Sequence, residues 1–148
     1  MKIRSIAIVL VVLIISTSTA WARNSEVLVD AQEAVDRQGK GDLLDVPFFM
    51  KGQDHPAVKK KIGNWRSSRK GRGAFQSDTD ACGRTFVTAL KSLQQRALSE
   101  GGNAVINIVS VTKDMPYENA KQFRCIAGGI IVHVALEGDV VVLEDQKK

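Results

Sequence analysis

Few residues of this 148-residue chain are of types that do chemistry: two cysteines, Cys82 and Cys125, and two histidines, His55 and His133. Two cysteines can close a disulfide, act as reactive thiols or help to hold a metal. The chain contains no Cys-x-x-Cys, and two histidines do not make up the usual ligand pairs of a structural zinc site. His133 lies inside the apolar run IIVHVAL and reads as a surface or satisfied histidine. His55 precedes Pro56 in a basic stretch and reads as a turn residue. No nucleophile, base and orienting group converge in the pattern. The chain therefore reads as non-catalytic, with no cofactor and no metal ligand set.

Charge is the second candidate chemistry. Between Lys51 and Arg72 stand eight basic residues, Lys51, Lys59, Lys60, Lys61, Arg66, Arg69, Lys70 and Arg72, against the single acid Asp54. That window carries +7, whereas the chain beyond residue 22 carries +3 as a whole, so everything else there sums to −4. With Trp65 inside it, the window has three readings. It could stack nucleic acid bases in a cationic groove, face an anionic surface or acidic partner, or be a solvated loop that keeps the protein soluble. The segment Lys59 to Arg72, with Lys59, Lys60, Lys61, Trp65, Arg66, Arg69, Lys70 and Arg72, is the candidate partner-binding surface.

The compartment bears on the first of these readings and leaves the other two open. Lys2 and Arg4 precede an aliphatic run up to Ile15, a small polar stretch follows, and Ala20-Trp21-Ala22 is a small-x-small cleavage site. The run is about a dozen residues, short of the roughly 18 to 20 that span a bilayer. Residues 1–22 are expected to be a signal peptide, removed to leave a periplasmic or secreted protein that begins at Arg23 with no membrane anchor. No cysteine near the site offers a point for lipid attachment. Nucleic acid is then in the wrong compartment, and the two cysteines default to a Cys82–Cys125 disulfide that joins helix to sheet.

The remaining 126 residues suffice for one domain, 23–148. Within it, Ser25 to Arg37 has apolar residues at helical spacing and predicts a short helix stopped by Gly39 and Gly41. Leu43 to Met50 predicts an edge or interrupted strand around Pro47. Residues 51–76 predict a basic loop with one helical turn at Ala57 to Ile62, anchored by Ile62 and Trp65. Ser77, three residues before Asp80, caps a long helix whose stripe is Cys82, Phe86, Leu90, Leu93 and Ala97. Asp78 and Asp80 suit its positive end. Lys91, Gln94, Gln95 and Arg96 fall on its other faces, and Gly101-Gly102 ends it. Strands follow at Asn103 to Val111 and Phe123 to Leu136, with a bulge or bend at Gly128-Gly129. Glu137-Gly138-Asp139 predicts a hairpin turn into a last strand, Val140 to Leu143. The fold class is α+β: one long helix on a small, mostly antiparallel sheet of about four strands.

The segments His55-Pro56-Ala57-Val58-Lys59-Lys60, DACGRTFVTALKSLQQRALSEGGNAVINI, Cys125-Ile126-Ala127-Gly128 and Val134 to Val141 resemble a family of small exported proteobacterial proteins. Members sometimes carry the label excinuclease ATP-binding subunit. The label does not fit, because no GxxxxGK[ST] phosphate loop occurs. More loosely, a helix ending in Gly-Gly-Asn-Ala-Val, one cysteine on it and another on a later strand, is similar to the Rcs-type envelope-stress lipoprotein domain and to small heavy-metal-binding domains. The Rcs-type resemblance implies a non-catalytic accessory protein that contacts other envelope proteins, and the cationic segment adds an anionic envelope surface as a second candidate partner. The similarity to heavy-metal-binding domains implies a small ligand- or metal-binding module of the envelope.

Overall fold

The computed structural model describes residues 22–145. The leader assigned to residues 1–22 therefore lies outside the described residues except for Ala22. Among the described residues, no helix is long and apolar enough to cross a membrane.

Among the described residues, six strands and one long helix make the fold. Strand β1 (Asn24–Asp30) runs into the short α1 (Ala31–Ala34) and a π-helical turn, Val35–Gly39. Then come β2 (Phe48–Met50), β3 (Val58–Arg72), α2 (Asp78–Ser99), β4 (Ala104–Ser110), β5 (Gln122–Gly128) and β6 (Ile131–Leu143). The sheet order is β1-β5-β6-β4-β2, with β3 on β6 as well. All pairings are antiparallel except β2 with β4, so the sheet is mixed and has more strands than the four expected.

Strand β6 is the axis of this arrangement. One of its edges carries β3 over its whole length, from Arg72 opposite Ile131 to Val58 opposite Leu143. The other edge is shared by β5 near His133 and β4 from Leu136 to Val141. Among the described residues the far edge of β3 has no strand partner, which makes β3 a 15-residue edge strand.

Helix α2 follows its sequence pattern closely. Ser77 Oγ accepts the Asp80 N–H at 3.1 Å, and Cys82, Phe86, Leu90, Leu93 and Ala97 are all buried against the sheet. Phe86 stacks on Phe123 with ring centroids 4.1 Å apart. The Cys82–Cys125 disulfide is present and ties α2 to β5. The helix ends at Gly101, whose φ of 81° is the left-handed conformation that glycine adopts without a Cβ clash.

Four expectations are corrected. Ser25 to Asp30 is strand instead of helix. Its residues alternate, Ser25, Val27 and Val29 turned inward and Asn24, Glu26 and Leu28 outward, and all seven residues of β1 pair with β5. Only Ala31 onward is helical, capped by Asp30 Oδ1 on the Glu33 N–H at 2.8 Å. Second, the basic segment is β3, not a loop with a helical turn. Third, Gln94 faces inward: fully buried, its amide donates to the carbonyls of Leu44 and Val46 and accepts from Leu44 N–H, pinning the segment before β2.

The fourth is that Glu137-Gly138-Asp139 is not a turn but the middle of β6. A Cβ on Gly138 would lie 2.8 Å from Val105 Cγ1, so glycine admits the close approach of β4 at its bulge. Asp139 accepts from Asn64 at 2.9 Å, Asn107 at 3.0 Å and Lys61 at 3.1 Å. Burial alone would raise its carboxyl pKa. The three donors outweigh that and hold it below the ordinary carboxylate value. A short polar motif that reads as a turn thus cross-links three strands. The glycine pair Gly128-Gly129, expected as a bulge or bend, lies where β5 passes into β6.

Candidate anion-facing edge strand

Seven of the eight basic residues of the window lie on β3, which carries no acid. Strand alternation sends them to both faces of the sheet. One face meets α2. There Trp65 is half-buried against the core with the Arg96 guanidinium 5.8 Å over its ring. Arg69 donates to Ser92 Oγ at 2.7 Å and to the Ser68 carbonyl at 3.3 Å. These residues, with Ser67, Gln95 and Ser99, line an open groove of about 510 Å³ between β3 and α2.

On the opposite face the cations are partly neutralised. Lys61 pairs with Asp139, and Arg66 lies 2.6 Å from Asp114 and 3.7 Å from Glu137. The hydrogen bond to Asp114 is the main reason that Arg66 holds its proton even more firmly than a free guanidinium. Lys59, Lys60, Arg69, Lys70 and Arg72 have no carboxylate in ion-pair range among the described residues. At about 3.3 Å per residue, Lys59 and Arg72 stand roughly 40 Å apart. The candidate residues are therefore a rail along one edge and do not converge on a point.

Ser68 is a site residue that the pattern did not reveal. Its Oγ lies 2.7 Å from His133 Nε2 across the β3–β6 ladder. A serine beside a histidine suggests a nucleophile and its base, but the residue directly opposite His133 is Lys70. A carboxylate beside a histidine stabilises its imidazolium; a lysine does the reverse. Burial first, and Lys70 second, push the His133 pKa down, so the ring is neutral near pH 7. Nothing in this pair builds a hydrolytic centre.

The other residues of chemical type are held in structural contacts. His55 Nδ1 is 2.8 Å from the Pro56 carbonyl, and its ring tilts against Phe49 at 5.7 Å, over the smaller apolar cluster on the second sheet face. Both sulfurs are in the disulfide. Among the described residues, no three His, Cys, Asp or Glu side chains are grouped to hold a metal ion. Asp78 and Asp80 face Arg23 and Arg37 respectively at the start of α2. Comparison with family models, with curated proteins and with solved structures finds no match.

Proposed function

We propose that this protein is a non-catalytic accessory module of the bacterial cell envelope, working in the periplasm or as a secreted protein, that holds an anionic envelope component or an acidic partner along strand β3. One observation carries the reading: five unpaired cations on an acid-free edge strand of a domain whose remaining residues are net acidic. Charged side chains on an edge keep sheets from pairing with one another. Seven basic residues in 15 also supply a field that an anion would feel. The disulfide supports an oxidising compartment.

The runner-up, a metal-binding module, loses its thiolates to the disulfide. Its two histidines also stand apart, His55 beside Leu143 at the end of β6 and His133 near the beginning. The test is to change Lys59, Lys60, Arg69, Lys70 and Arg72 together to glutamine, leaving Lys61 and Arg66 with their acids. Exposed charges act over roughly 8 Å at physiological ionic strength. Wild-type protein should therefore associate with anionic envelope fractions at low salt and detach as salt rises, and the neutralised variant should associate weakly at both. Equal association of the two proteins at low and high salt would reduce the rail to a solubilising edge.

A further inference from the structure

The end of the sheet where β3 stops and β6 begins carries large apolar side chains that no described residue covers. Phe75 is 99% exposed, Ile130 71% and Ile131 52%. A phenyl ring exposed to that degree touches nothing of its own protein, so it projects. Phe75 also has a φ of 64°, a left-handed conformation disfavoured for a residue with a bulky side chain. The two turns that bear these residues are joined: Gly73 N–H donates to the Ile130 carbonyl at 2.7 Å and Ala74 N–H to the same oxygen at 3.3 Å. A strained backbone that presents an apolar ring to water, tied to a second apolar turn, is a feature that folding does not require.

Cations surround it. Lys70, Arg72 and Arg84 line an adjoining depression of about 350 Å³, and none of the three has a carboxylate in ion-pair range among the described residues. Asp78 and Asp80, the acids at this end, are paired with Arg23 and Arg37. The chain also enters the domain here, since Asn24 pairs with Gly128 immediately before the Gly129-Ile130 turn. Removal of the leader after Ala22 would add an α-ammonium group to the same end.

We infer that this tip docks on the anionic leaflet of a lipid bilayer, with Phe75 and Ile130 entering the headgroup boundary and Lys70, Arg72 and Arg84 meeting lipid phosphates. Projecting apolar side chains beside unpaired cations are the combination that partitions to such an interface. A protein partner would need a pocket shaped to receive them, whereas a bilayer deforms around them. The assignment rests on the proposed anion-binding role for the sign of its charge and replaces the whole rail by one end of it.

The test uses protein beginning at Arg23, which keeps every described strand and helix, with vesicles of phosphatidylglycerol and phosphatidylethanolamine and, separately, of phosphatidylcholine. Wild type should sediment with the anionic vesicles only. Phe75→Ser/Ile130→Ser should weaken that binding at least about tenfold with an unchanged melting temperature, since both positions are exposed. Phe75→Trp should gain fluorescence that acyl chains brominated near the headgroup quench. Lys40→Gln/Lys121→Gln, exposed cations outside β3, should bind as wild type does. The inference falls if the tip variant binds like wild type, if the new tryptophan is not quenched, or if wild type ignores both kinds of vesicle. It also falls if Phe75→Ser/Ile130→Ser instead abolishes a self-dimer, which would identify a second copy as the occupant. Loss of binding in Lys59→Gln/Lys60→Gln, at the far end of β3, with retention in the tip variant would keep the cationic rail and discard the tip.

Discussion

His133 stands in β6 with Ser68 Oγ on its Nε2 and Lys70 directly opposite. Its pKa is lowered, by burial first and by Lys70 second, so the fold prefers the neutral ring. As pH falls through 6.5 the unfolded chain takes up the proton before the folded one does. Between that value and the lowered native pKa the unfolded state binds more protons, and stability drops as the pH drops. The urea midpoint of wild type should therefore fall more between pH 7.5 and pH 5.5 than that of His133→Gln, whose amide can still meet Ser68. Equal falls in the two proteins would show that the ring carries no proton linkage. The same scale explains Asp139, whose hydrogen bonds to Asn64 and Asn107 give a buried acid a role in mid-strand.

At the level of elements, the junction of α2 and β4 is where local sequence and tertiary structure agree most closely. Gly101 is left-handed, and a Cβ there would meet no atom within 4 Å, so the penalty of a side chain is confined to the backbone. Gly101→Val should destabilise the protein by about 1 kcal/mol or more, and Gly101→Asn by less because asparagine tolerates this conformation. Denaturant unfolding of the two variants checks it, and a valine variant as stable as wild type would remove the positive φ from the account. Strand β3 is the opposite case. Its lysines, arginines, serines and glycines have low strand propensity, yet the 13-residue ladder with β6 and the contact of Trp65 with the core hold it extended. On an edge such residues are suited to their place, because their long side chains reach water on either face.

The whole molecule is held by one covalent link between its two layers. Cys82 and Cys125 are separated by 43 residues, and both are fully buried. Closing a loop of that length in the unfolded chain corresponds to about 4 kcal/mol on chain-entropy grounds, a large share of the roughly 5 to 15 kcal/mol typical of a domain. Cys82→Ala/Cys125→Ala should lose up to about that amount in urea unfolding. The bond in native protein should resist dithiothreitol until denaturant opens the layers. Two alkylatable thiols in protein isolated under oxidising conditions would contradict both expectations.

Much of the fold was legible before any coordinates: the helix α2 with its cap, buried stripe and glycine stop, the partners of the disulfide, and a strand at Asn103 to Val111. Each rests on interactions between residues a few positions apart, or on the pairing of the only two cysteines, which one sequence displays directly. The candidate tip was not legible, because Phe75 and Ile130 are 55 positions apart and meet only where Gly73 and Ala74 bond the Ile130 carbonyl. Nor were β3 and the continuity of β6 through Gly138. A strand exists only when its partner supplies the hydrogen bonds, so a basic, glycine-bearing segment looks like a loop until β6 lies beside it. The sequence by itself determined the composition of the cationic segment; the long-range ladder alone decided that it is an extended edge, with its charges spread along a line and its last turn set beside an apolar one.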